Sequence, residues 1–209
     1  MTLSLKVGLI PAVFLLLSLL PESLSAQAWK FEKEKDGIRV YTRKESGQSI
    51  RSYKGIADIK APADKIFSML EDVNHTDWWD KSVTNIKVLA YEKNKSARYY
   101  LVYDLPWPVT DRDLCVDVIV VHDPATGERQ IVAGPLIGVI PEKDGYIRIR
   151  HYRQVWTVRA AGANQSHVTL EGHVDPAGSI PDWISNMVVV DSPMKVIGEV
   201  KRRMEASAN

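Results

Sequence analysis

Asp175-Pro176-Ala177-Gly178-Ser179-Ile180-Pro181-Asp182-Trp183 opens the stretch that decides the fold, which runs on to Met204. Asp175, Pro176 and Gly178 end whatever precedes them. Pro181 suits the first turn of a helix, where its missing N–H is no loss. Asp182 places negative charge near the positive end of the helix dipole. Met187, Val190, Met194 and Ile197 then recur at alternating gaps of three and four, one face of an α-helix. Lys201, Arg202 and Arg203 fall in the last turn, where cations are favoured. This spacing predicts a long amphipathic helix that needs a surface to lie on. Asp191-Ser192-Pro193 interrupts it, since an internal proline removes a hydrogen bond and crowds the preceding turn. A static kink or a hinge is expected there, with Ser192 able to cap a second segment.

Upstream, the chain reads mostly as strands. In the last of them Val168, Leu170, Gly172 and Val174 face one way, and His167, Thr169, Glu171 and His173 the other. Further strands are expected near residues 38–41, 49–59, 83–91, 97–103, 114–121, 129–133 and 146–158. Asp36-Gly37 and the polar stretch Glu45 to Gln48 bracket the first, so the first two pair as a hairpin. Trp29 to Lys35 reads as a helical turn or an arm. Ala61-Pro62-Ala63-Asp64 opens a helix with Ile66, Phe67, Met69 and Leu70 on its apolar side. The expected fold class is therefore α+β: a curved antiparallel β-sheet gripping a long C-terminal helix. A helix across a curled sheet leaves a hollow, and such hollows bind small molecules.

The chain has 209 residues, 45% hydrophobic and 25% charged, enough for one domain with a real core. A formal net charge of +1 gives no footprint for nucleic acid and no strong pull toward anionic lipid. The single cysteine, Cys115, excludes an internal disulfide or a cysteine-based zinc site, and its apolar setting reads as buried and inert. No G-x-S-x-G elbow, phosphate-binding Gly loop or H-E-x-x-H helix is present, so no catalytic set and no cofactor is expected. His75-x-Asp77-x-x-Asp80 has a ligand-like spacing, but loop acids ordinarily face water, and no metal is expected.

Lys6, the apolar run Val7 to Leu20 and the small-x-small site Ala26-Gln27-Ala28 read as a secretory signal over residues 1–28. The competing reading is an uncleaved anchor, for which the run is short. Cleavage near Ala26 or Ala28 would leave one domain over 29–209, periplasmic or secreted. Asn74-His75-Thr76, Asn94-Lys95-Ser96 and Asn164-Gln165-Ser166 match the glycosylation pattern, which matters only in a eukaryotic secretory host.

One segment is unusual. In Leu105-Pro106-Trp107-Pro108-Val109-Thr110-Asp111-Arg112-Asp113, two prolines forbid helix and fix an extended bend. This segment resembles the Pro-Trp-Pro-x-x-x-Arg-Asp signature of START-like lipid-binding domains. Asp36-Gly37-Ile38-Arg39-Val40-Tyr41, Asp72 with Trp78-Trp79, Asp144-Gly145-Tyr146-Ile147-Arg148 and Asp175 to Pro181 resemble that family's other landmarks, in order. The resemblance implies a helix-grip fold with a lipid-sized cavity, and binding or transfer of a sterol, phospholipid, fatty acid or similar hydrophobe.

Under that resemblance Met187, Val190, Met194 and Ile197 form the cavity roof; plain core packing is the alternative. Tyr99, Tyr100, Tyr103, Tyr152 and Trp156 are candidate walls, and simple sheet packing accounts for them equally well. Arg112, Arg153 and Glu171 are charges in strand-like runs; turned inward, an Arg–Glu pair would anchor a polar head, and turned outward they meet water. Three functions follow: a non-enzymatic carrier of a hydrophobic ligand, with transient membrane contact; an enzyme of cyclase or hydrolase type using Glu171, His151 or Tyr103; or an interaction module whose interior is filled.

Overall fold

Alternating strands joined by tight turns build one ten-stranded sheet around a C-terminal helix in the computed structural model, which describes residues 28–45, 50–178 and 180–207. The expected leader lies outside these residues up to position 27. The strands are β1 (Lys30–Lys35), β2 (Ile38–Arg43), β3 (Ser52–Ile59), β4 (Val83–Glu92), β5 (Ser96–Tyr103) and β6 (Asp111–His122). They continue as β7 (Arg129–Pro135), β8 (Tyr146–Arg148), β9 (His151–Gly162) and β10 (Gln165–Asp175). Helix α1 (Ala63–Glu71) follows β3; α2 (Asp182–Asn186), a π-helical turn (Met187–Asp191) and α3 (Ser192–Ala206) end the chain. The sheet order is β1-β2-β3-β10-β9-β7-β6-β5-β4, and the short β8 adds to β6 in parallel.

The turn at Asp36-Gly37 explains a strand that the hydrophobic pattern missed. Both residues take positive φ, 54° and 73°, as a two-residue hairpin turn requires. That turn pairs Lys35 with Ile38 and makes Lys30–Lys35 a strand, where a helical turn or arm was expected. Its charged sequence shows little apolar alternation because it is an edge, and charge on an edge discourages pairing with other chains. The expected strand over 146–158 is two: Ile149 and Arg150 separate β8 from β9. Pairing of β2 with β3 is as expected, and so are the two unlike faces of β10.

The helix meets the sheet closely because β3 offers it a glycine. A Cβ at Gly55 would lie 2.4 Å from Ile197 Cδ1 and 3.5 Å from Pro193 Cβ. Gly55→Ala is expected to push the fully buried Ile197 off its seat and cost about 1–3 kcal/mol, read as a lower urea midpoint at unchanged slope.

No full break occurs at Pro193. The Ser192 N–H reaches back five residues to Met187 O, and the next turn begins with Pro193 where no donor is needed. No side-chain cap marks this start. At the far end, Arg202 and Arg203 hydrogen-bond Glu199 and hold its carboxyl down at about 2. A depressed folded-state value contributes stability that is present above its unfolded value of about 4.3 and is lost as pH falls through about 2. The carboxylate is partly exposed, so Glu199→Gln is expected to change acid denaturation only slightly across that window.

Candidate functional site: a two-lobed cavity under the C-terminal helix

Inward-facing residues of β5, β6, β7 and β9 alternate along their strands, and the helix spans them without filling the space between. An outer lobe of about 220 Å³ is bounded by Leu105, Pro106, Arg112, Ile184, Met187 and Val188, among others. An inner lobe of about 100 Å³ is bounded by Leu70, Trp78, Leu101, Ile131, Ala133 and Trp156, among others. Asp80, Tyr103, Tyr152, Gln154 and Ser192 belong to both and form the waist between them.

The waist is polar but uncharged over most of its surface. Tyr152 OH donates to Gln154 Oε1 at 2.9 Å, and Gln154 Nε2 donates to Tyr53 OH at 3.1 Å. Tyr53 reaches this position because it lies across Gly172, its strand partner; a Cβ there would stand 2.3 Å from the phenol oxygen. Burial pushes the Tyr53 and Tyr152 phenols up and Tyr103 up to about 12, the last helped by the Asp80 charge. All three are therefore neutral at physiological pH. Having accepted from Gln154, the Tyr53 hydroxyl keeps its own hydrogen for a further acceptor. Burial raises the Asp80 carboxyl, but the Ser82 N–H and hydroxyl, at 2.9 and 2.7 Å, more than offset it and keep it low.

Arg112 borders the outer lobe as a structural cation. Its guanidinium donates to the carbonyls of Thr110, Pro176 (3.1 Å) and Ala177 (3.2 Å). It thereby ties the loop before β6 to the segment that leads into α2. Burial lowers its pKa, with Asp111 opposing. Its neighbour Asp113 faces the other side of the sheet, where Arg148 grips it through two bonds of 2.7 and 2.8 Å.

The predicted residues divide. Tyr103, Trp156, Arg112 and Met187 border the cavity. Val190, Met194 and Ile197 do not border either lobe; they pack into the core. The reason is the π turn, which holds one residue more than an α turn and so puts the faces before and after it out of step by about 100°. Past that turn, Ser192, Lys195 and Val196 face the space. Arg153 is exposed, and Glu171 pairs with Lys54 at 2.7 Å on the outer face, so no Arg–Glu pair forms inside. His75 is bonded to Asp72 and Asp77 to Arg203, which draws the three residues of the loop triad to separate partners. Among the described residues no group of three or more His, Cys, Asp or Glu is placed to hold a metal.

Comparison with known proteins agrees with this architecture. The START domain model matches residues 18–209. An uncharacterised protein of Pseudomonas aeruginosa is 34% identical over 182 residues, covering 86% of this chain and 88% of that one. The phosphatidylcholine transfer protein of Bos taurus is 27% identical over 180 residues, covering 78% of each. The crystal structure of a STAR-related lipid transfer protein fragment from Xanthomonas axonopodis superposes with a TM-score of 0.75 at 28% identity, covering 85% of this chain and 98% of that one. Sheet order, enclosed cavity, motif series and these matches lead to one conclusion: the chain belongs to the START domain family and is related to lipid transfer proteins.

Proposed function

We propose that this protein is a non-enzymatic carrier that binds one lipid in the two-lobed cavity and moves it between membranes outside the cytosol. The observation that carries this reading is the cavity itself: mostly aliphatic and aromatic inner walls, a neutral phenol–amide chain at the waist, and the charged residues Asp80, Asp104, Arg112 and Lys195 bordering the outer lobe. Burying an acyl chain gains roughly 0.8 kcal/mol per CH₂, so such walls suffice for affinity. The waist suits a polar head that accepts hydrogen bonds. Kinship with a phosphatidylcholine transfer protein favours a phospholipid over a sterol or fatty acid. The enzyme reading finds less support: His151 and Glu171 lie off the cavity, and Tyr103 is held neutral by burial. Export rests on the leader read from the sequence, and the mass of the mature chain in a periplasmic or secreted fraction tests it.

Both lobes fall below the ~300–1,000 Å³ of ordinary small-molecule sites, so a two-tailed lipid requires the roof to move. The segment from Ile184 to Ser192, with its π turn, is the element placed to do so. Apolar side chains also gather where the outer lobe ends. Trp107 (92% exposed), Ile137 (64%), Val139 (52%) and Trp183 (49%) are four of the seven exposed large hydrophobics among the described residues. The pairing of β8 with the start of β6, and the bonds of Arg112 to residues 176 and 177, bring the two loops and the start of α2 to one end. That end would rest on a bilayer, with tryptophans at the interface.

The test is transfer of fluorescent phosphatidylcholine between vesicles. The expected result is transfer by the wild type, and vesicle binding weakened roughly tenfold by Trp107→Ala with Trp183→Ala. Lipid uptake with no transfer at any vesicle concentration would leave a binder rather than a carrier.

A further inference from the structure

Away from the waist, the inner lobe is aliphatic and aromatic except at two places. Glu71, at the C-terminal end of α1, is 4% exposed, and Trp78, in the loop that follows, is 6% exposed. Both border the inner lobe. Glu71 Oε2 accepts the Asn94 N–H at 2.6 Å, but Glu71 Oε1 has no partner, and neither does Trp78 Nε1–H. Two buried polar atoms left without partners, on residues that border one small lobe, are costly, and an occupant that comes within reach of both removes that cost. Trp78 is held in place by edge-to-face contacts with Trp79 and Trp156, at 6.1 and 6.4 Å between ring centres. The ring is therefore braced on two sides against turning its N–H elsewhere.

We infer that the inner lobe is a hydroxyl-reading subsite, which takes an aliphatic part of the lipid bearing an alcohol. The O–H donates to Glu71 Oε1 and the oxygen accepts from Trp78 Nε1–H; a hydroxyl is the smallest lipid group able to do both. A plain methyl-ended chain leaves both atoms unpaired. This inference rests on the carrier reading and narrows it: the polar head lies at the waist or beyond, and a second polar point lies deep among the apolar walls. A trapped water would meet the same two atoms, and it is the competing occupant.

The experiment is calorimetric titration of the delipidated full chain with palmitic acid, its ω-hydroxy derivative and a mid-chain hydroxy derivative. At least one hydroxy acid is expected to bind roughly tenfold or more tightly than palmitic acid, the preference set by the hydrogen bonds that a methyl-ended chain cannot make. Glu71→Gln and Trp78→Phe are each expected to bring the ratio of hydroxy-acid to palmitic-acid affinity within the same variant close to one, with an unchanged circular dichroism spectrum showing the fold intact. The indole N–H resonance of Trp78 should shift with the preferred hydroxy acid and stay in place with palmitic acid. Equal or weaker binding of both hydroxy acids, or a preference that survives both substitutions, would overturn the subsite and leave water as its occupant. Binding of none of the three acids by a chain that takes up phosphatidylcholine would overturn the subsite alone, and failure to take up phosphatidylcholine as well would strike the carrier reading itself.

Discussion

Arg112→Leu loses about 3–5 kcal/mol of folding stability, seen as a fall in the urea midpoint. Arg112 is among the largest fully buried side chains, and its guanidinium serves backbone carbonyls of Thr110, Pro176 and Ala177 rather than a carboxylate. Leucine fills much of the same space but supplies no donor. Carbonyls deprived of their partner inside the protein cost ~1–3 kcal/mol each, and more where the lost donor was charged. Arg112→Lys retains the charge without the planar fork, and recovers only part of the loss. The substitution also frees the segment before α2 from the loop before β6, so lipid uptake is expected to change together with stability. Unfolding of Arg112→Leu within 1 kcal/mol of wild type, to order of magnitude, would show that these bonds are not made in solution.

The second large effect falls on binding rather than folding. Ser192 touches both lobes and is half-buried on the roof. Ser192→Phe places a ring in the waist, between Tyr103, Tyr152 and Gln154. Affinity for a lipid probe is expected to fall at least tenfold, since the ring occupies the volume through which a chain passes from one lobe to the other. Thermal stability is expected to stay within a few degrees, because the ring enters existing space instead of displacing packed neighbours. A variant equally stable and equally able to bind would mean that ligand does not cross the waist.

Much of this architecture was legible in the sequence. The period-two pattern of β10 names its buried face, Val168, Leu170 and Gly172. The same parity argument places Arg112 with Leu114, Val116 and Val118, all buried, and Tyr103 with Tyr99 and Leu101. Applied to β9 it puts Tyr152, Gln154 and Trp156 on one face and Arg153 on the other, so Arg153 belonged outside on sequence grounds alone. Glu171 alternates away from Leu170 and Gly172 in the same way. The helical face was harder to read. A period of 3.6 holds only while every turn contains the same number of residues, and the π turn at Met187–Asp191 breaks that count. Proline at 193 signals an irregularity, but not its kind. Glu71 carried no sequence signal as a cavity residue, since an acidic residue closing an amphipathic helix ordinarily faces water; only the fold closes over it.

The central claim is that sheet and helix enclose a space that a lipid occupies. Native mass spectrometry of the purified chain, incubated with vesicles containing phosphatidylcholine, sterol and fatty acid, tests it most directly. The account predicts one lipid per chain, recovered chemically unchanged on extraction, and none on Ser192→Phe. A wild-type chain that carries no lipid from any of these vesicles, or returns one chemically altered, would contradict it.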